Sequence, residues 1–154
     1  MERGTANIVD LTLPTVAYAH SAQTATGSMT LTASDDTGSN AGWNVTIQSS
    51  AFVWSAGTGG ATSGTDIPAA NFSLTSAAAP TMTSGQAVNA TGGPLVPATS
   101  PLGALNQPRK VLQANPLFGG GSYSQILGVR LDTPARSTTG TYTSTFTVSM
   151  TSGP

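Results

Sequence analysis

The chain has 154 residues, enough to bury one compact core. Only 7% of them are charged, the formal net charge is -1, and Thr, Ser, Ala and Gly dominate, so nothing in the composition attracts nucleic acid or an anionic membrane surface. There is no cysteine, which excludes disulfides and thiolate metal sites, and the 38% of hydrophobic residues fall in periodic segments that indicate a folded chain rather than disorder.

The amino-terminal stretch MERGTANIVD carries charges at Glu2 and Arg3 and no apolar run of signal-peptide length, so a secreted chain is expected here in its mature form. No stretch approaches the roughly 20 apolar residues of a bilayer-spanning helix. The first predicted strand covers 8–13. Ile8 opens it, Val9, Leu11 and Leu13 alternate with Asp10 and Thr12, and Pro14 ends it by removing a ladder donor. A loosely patterned stretch through Tyr18 and His20 follows. The next strand, 27–34, is regular, with Met29, Leu31 and Ala33 on one face and Ser28, Thr30 and Thr32 on the other.

Asp35-Asp36-Thr37-Gly38-Ser39-Asn40 reads as a turn, because these residues bond their own backbone or tolerate positive φ. It leads into a strand over 43–49 with Trp43, Val45 and Ile47 inward. A Gly/Ser/Thr/Ala tract at 55–65 reads as a surface loop. A short strand is predicted at 72–74, then long loops over 75–107, rich in Pro and Gly, with at most a strand near 87–90. Regular pattern returns at 109–113 and 124–131. The last strand, 141–150, places Tyr142, Ser144, Phe146, Val148 and Met150 on one face and only hydroxyls on the other. No long window has a helical period. The expectation is an all-β chain: an antiparallel β-sandwich, jelly-roll or immunoglobulin-like, of about 7–9 strands, forming a single domain over 1–154.

Candidate chemistry is sparse. His20 is the only histidine, and no nucleophile elbow accompanies it. Asp35 and Asp36 offer too few oxygen ligands for calcium and suit turn formation better. Arg109 and Lys110 are too few for a nucleic-acid face. No enzyme activity and no cofactor is expected. Trp43 and Trp54 are the candidate sugar contacts; Trp43 is in phase with the core, and Trp54 precedes the Gly/Ser tract as the more exposed ring. Sequons at Asn44, Asn71 and Asn89 are candidate glycosylation acceptors, and alternation with Trp43 and Phe72 points the first two outward.

The turn Asp35-Asp36-Thr37-Gly38 leading through Gly42-Trp43-Asn44-Val45-Thr46-Ile47, the Gly119-Gly120-Gly121 turn, the strand 127–131, Pro134, and the closing Gly140-Thr141-Tyr142 strand through Pro154 occur in the order found in one family. The chain resembles the WxL domain of bacterial cell-surface proteins. That resemblance implies non-covalent attachment to peptidoglycan or another cell-wall glycan. The first of the family's Trp-x-Leu motifs stands here as Trp43-Asn44-Val45, and the second is replaced by Thr147-Val148-Ser149-Met150. In composition the chain is also similar to the TasA-like and camelysin-like fibre subunits, whose amino-terminal strand completes the sheet of the next subunit.

With few charges to guard its strand edges, the chain is expected to be a non-enzymatic extracellular or cell-surface structural subunit. It would form a homopolymeric, pilus-like filament or layer by donor-strand complementation, partnered by copies of itself. The donor would be the amino-terminal segment, with 1–20 as exchanged strand and linker and Ile8, Val9, Leu11 and Leu13 as its apolar positions. The alternative is a WxL-like module that binds cell-wall polysaccharide through Trp43 or Trp54.

Overall fold

The computed structural model describes residues 4–99 and 101–154. Among them, strands make up nearly all the regular structure, with one 3-10 turn at Ala69–Asn71. The strands are β1 (Thr5–Ile8), β2 (Gln23–Asp35), β3 (Trp43–Ser49), β4 (Val53–Ser55), β5 (Phe72–Ala77), β6 (Thr81–Gly85), β7 (Gly103–Ala104), β8 (Arg109–Ala114), β9 (Gly121–Thr133), β10 (Thr141–Thr143) and β11 (Phe146–Ser152). All pair antiparallel, and the expected all-β antiparallel sandwich is what forms, with about eleven strands.

The larger sheet runs β1-β2-β9-β5-β7, with β6 also on β9. β5 and β6 lie in tandem along one side of β9: Phe72 faces Leu131 and Gly85 faces Gly121, with Pro80 in the gap between the two strands. The strand expected near 87–90 is instead an Asn89 turn; the real one, β6, lies at Thr81–Gly85 in the stretch expected to be loop. Its Thr-Met-Thr-Ser-Gly sequence is exposed throughout, so no apolar alternation marks it. The ladder on β9 holds it.

The smaller sheet is β11-β3-β8. The predicted strand over 141–150 is broken into β10 and β11. At the break Ser49 and Ser144 share a hydroxyl hydrogen bond (2.7 Å), and Thr145 N–H donates to Ser50 Oγ (2.9 Å) instead of to a backbone carbonyl. Serine hydroxyls compete here for ladder groups, as short polar side chains do. Beyond the break β10 pairs with β4.

Between the sheets, Met29, Leu31, Ala33, Phe72, Leu74, Tyr123, Leu127, Val129 and Leu131 of one meet Trp43, Val45, Ile47, Val111, Leu112 and Ala114 of the other. Phe72 takes Phe52 and Phe146 edge-on, with centroids 5.2 and 6.4 Å away. Trp43 is fully buried, and its indole N–H donates to Gly119 O at 3.0 Å. Gly119, at φ 81°, permits this approach: a Cβ there would stand 2.7 Å from the indole nitrogen and 2.5 Å from Ala114 Cβ.

Among the described residues, Gln125 is the most deeply buried polar side chain. Opposite Val45 and Thr46, β8 bulges at Val111, so both Val111 and Leu112 point inward. Gln125 of β9, 1% exposed, spans the two sheets: its Nε2 donates to Val111 O and to Ala78 O, each at 3.0 Å. It thus satisfies the bulge in one sheet and the β5–β6 gap in the other, while its Oε1 meets no protein donor. Gln125→Glu keeps the shape but removes the amide donor and adds a buried charge. We expect it to cost about 3–5 kcal/mol at neutral pH, read from the denaturant midpoint. Because burial raises that carboxyl's pKa, the lost stability should return partly as pH falls. Gln125→Met should cost less, about 1–3 kcal/mol, and show no such pH dependence.

Candidate functional site

The amino-terminal segment forms an edge of the larger sheet. Thr5, Ala6, Asn7 and Ile8 pair with Ser34, Ala33, Thr32 and Leu31 of β2. The strand therefore lies earlier than the expected 8–13, and only Ile8 of the four candidate donor positions belongs to it. Val9 and Asp10 are both exposed, Val9 at 73%, so the alternation slips by one residue there. Leu11 and Leu13 then return to the core side and rest over Gly27 of β2, where a Cβ would meet Leu13 Cδ2 at 3.0 Å and Leu11 Cδ1 at 3.4 Å. Residues 9–22 carry no strand. Where β1 begins it meets the other sheet: a Cβ on Gly4 would lie 2.6 Å from Met150 Cε of β11.

Across β1, β2, β6 and β9 runs a groove of about 230 Å³, whose polar lining is Thr5, Asn7, Thr32, Ser34, Thr83 and Ser122. Its hydroxyls already bond sideways: Ser34 Oγ with Ser122 Oγ (2.9 Å), Thr83 Oγ1 to Ser122 O (3.0 Å) and Thr32 Oγ1 to Asn7 O (3.4 Å). The lining is uncharged, and most of its exposed surface is apolar. The ion pair Arg130–Asp132 (2.8 Å) lies at the far end of β9, and the guanidinium bond holds the Asp132 carboxyl below the usual range. Both side chains are about half exposed, so the pair contributes little.

The two tryptophans are placed apart. Trp43 sits in the core and offers no face to a sugar, so as a glycan contact it is withdrawn. Trp54 is half-buried rather than open: its indole N–H donates to Thr139 O (3.2 Å), and Gly64 lies against the ring so closely that a Cβ there would be 2.5 Å from it. The 55–65 tract thus folds back over the indole. His20 is exposed and meets the ring of Tyr18 edge-on at 5.5 Å. Asp35 Oδ1 accepts from Thr37 N–H (3.1 Å) and Oγ1 (2.7 Å), and Asp36 Oδ2 from Ser34 Oγ (3.0 Å), which makes the acidic pair a turn. Among the described residues no group of three or more His, Cys, Asp or Glu stands together, and no helix is long and apolar enough to cross a membrane.

The sequon asparagines also differ. Asn44, expected to face outward, is 9% exposed and donates its amide to Gly153 O (2.7 Å). Asn71 is half-buried and donates to Asp132 O (2.8 Å). In both, the nitrogen that would carry a glycan holds the fold. Asn89 lies on an exposed turn and uses its Oδ1, which accepts from Thr91 N–H, Thr91 Oγ1 and Gly92 N–H. Expressed in a host with N-glycosylation, the chain should be modified at Asn89 alone, so that Asn89→Gln abolishes the mass increment while Asn44→Gln and Asn71→Gln leave it in place.

Tyr123 closes the inner side of the groove, its hydroxyl donating to Gln86 O (2.7 Å). Burial, reinforced by the Asp35 carboxylate, pushes its pKa above the ordinary 10.0. Burial, then Asp66, does the same to Tyr142. A raised folded-state pKa gives stability that is present below pH 10 and lost as pH rises through the folded value. Unfolding should therefore begin at alkaline pH, and Tyr123→Phe should flatten that decline; an unchanged alkaline limb would contradict the assignment.

Comparison with protein-family models, with curated proteins and with solved structures finds no match to this chain.

Proposed function

We propose that the chain is a non-catalytic structural subunit of an extracellular assembly, in which the amino-terminal segment of one subunit completes the larger sheet of the next. The observation that carries this reading is β1. It is an edge strand held by four residue pairs, it is only half-buried on its inner face, and the segment 9–22 that joins it to β2 has no regular structure. Neighbouring antiparallel strands can be joined by a turn of two residues. A longer connection lets the same four pairs form between copies with no new contact invented, which is the economy of strand exchange. Removal of β1 would uncover the β2 edge, where Thr32 and Ser34 offer no charge to discourage pairing.

The absence of native cysteine makes the test direct. Ala6 and Ala33 face each other, at the Cα spacing of about 4.5–5.5 Å of antiparallel partners that a disulfide accepts. In Ala6→Cys/Ala33→Cys, oxidation of monomers before assembly should prevent fibres under the electron microscope. Oxidation after assembly should give a ladder of covalent multimers. Intramolecular cross-links alone in assembled material, or fibres from protein lacking residues 1–13, would refute the exchange.

A second reading is attachment to a cell-wall glycan, and it draws support from the hydroxyl-lined groove rather than from the tryptophans. A neutral polyol would find donors and acceptors at Asn7, Thr32 and Ser122. Retention on purified peptidoglycan that survives Asn7→Ala and Thr32→Ala would remove the groove from consideration.

A further inference from the structure

β11 pairs with β3 on one side and, among the described residues, with no strand on the other. The ladder shows which of its backbone groups are left over. Ser50 N–H donates to Thr145 O (2.9 Å) and Gly153 N–H to Gly42 O (2.9 Å). Odd-numbered residues of this segment therefore turn their backbone groups toward β3, and even-numbered ones turn theirs away. Phe146, Val148, Met150 and Ser152 thus present an open row of N–H and C=O groups. Thr147, Ser149 and Thr151 place exposed side chains on the outer face.

Natural sheets guard such a row with charges, proline or bulges. β11 contains no charge and no proline, and its register on β3 is unbroken. The opposite edge of the same sheet is guarded in several ways: β8 follows Pro108, carries Arg109 and Lys110, bulges at Val111, and is bridged by Leu95 at Gln113. Of the outer strands of the larger sheet, β1 has four residues, β7 has two, and β6 has five but bulges at Thr83. The contrast singles out β11 as the longest unbulged edge strand among the described residues.

We propose that β11 is an interaction surface for a second copy of this chain, which adds its own β11 antiparallel about a two-fold axis at Ser149. The register is self-complementary. Val148 of one copy faces Met150 of the other, and Phe146 faces Ser152, so every open-edge residue meets an open-edge residue. The two small sheets then join as β8-β3-β11-β11-β3-β8, an isologous contact that closes on itself. This contact uses the edge of β11, which β1 touches where Gly4 lies against Met150, so it is tested with β1 fixed in place.

The two-fold axis sets the test. Ser149 of each copy lies beside Ser149 of the other on the outer face, with Cβ atoms about 4.5–5.5 Å apart, where like charges oppose pairing. The experiment is sedimentation velocity on the oxidised Ala6→Cys/Ala33→Cys protein, in which β1 is fixed to its own β2. The parent should form a dimer. Ser149→Lys and Ser149→Glu should each weaken it at least tenfold, and an equimolar mixture of the two should restore it as a mixed dimer. A parent that stays monomeric at all concentrations, variants that dimerise like the parent, or a mixture that does not recover would each overturn the proposal.

Discussion

Strand β9 supports most of what surrounds it. It pairs along all its length with β2, carries β5 and β6 in tandem on its other side, and sends Gln125 through the core to the bulge in β8. The last contact matters because the interior gives a backbone carbonyl no water to bond, so an inward-turned carbonyl such as that of Val111 needs a donor from the protein. By meeting that need and bonding Ala78 O as well, one amide nitrogen ties an irregularity in each sheet to the other. The two sheets are thereby held in a single register, something apolar packing alone specifies less sharply.

On the outside, hydroxyls replace charge. Thr81, Thr83 and Ser73 donate to backbone carbonyls of β9, and Thr24 donates to Asp132. These bonds run along the sheet and leave the surface polar but neutral. Such a surface does not repel a second copy, and the one ion pair among the described residues is too exposed to alter that balance. Low charge therefore has opposite consequences at the two places where it matters. It is harmless on the paired faces of the sheets and consequential at their edges.

Both edges on one side of the sandwich, β1 and β11, are uncharged within their strands, and they meet where Gly4 approaches Met150. On the proposed reading these are the assembling edges: β1 by exchange along a fibre, β11 by closed pairing between two copies. The far edge of the smaller sheet, with Arg109 and Lys110, is the one built to stay single.

Local periodicity alone made several strands legible. Alternation in 27–34, 43–49 and 124–131, with the apolar pair in 109–113, marked four of the strands and the inward side chains Leu31, Trp43, Val45, Ile47 and Leu127, because a pleated strand with one buried face favours that pattern. The Asp35 turn was equally legible, since its side chains bond their own neighbours. Tertiary structure decided the rest, wherever a residue's role depends on a partner distant in sequence. β6 exists only because β9 offers it a ladder. Val9 turns outward because Leu11 and Leu13 seat on Gly27. Asn44 is buried by the carbonyl of Gly153, and Gln125, polar in an apolar stripe, is explained only by a bulge on the other sheet. Which edge remains open, and so where another chain could add, is a property of strand order, which periodicity does not encode.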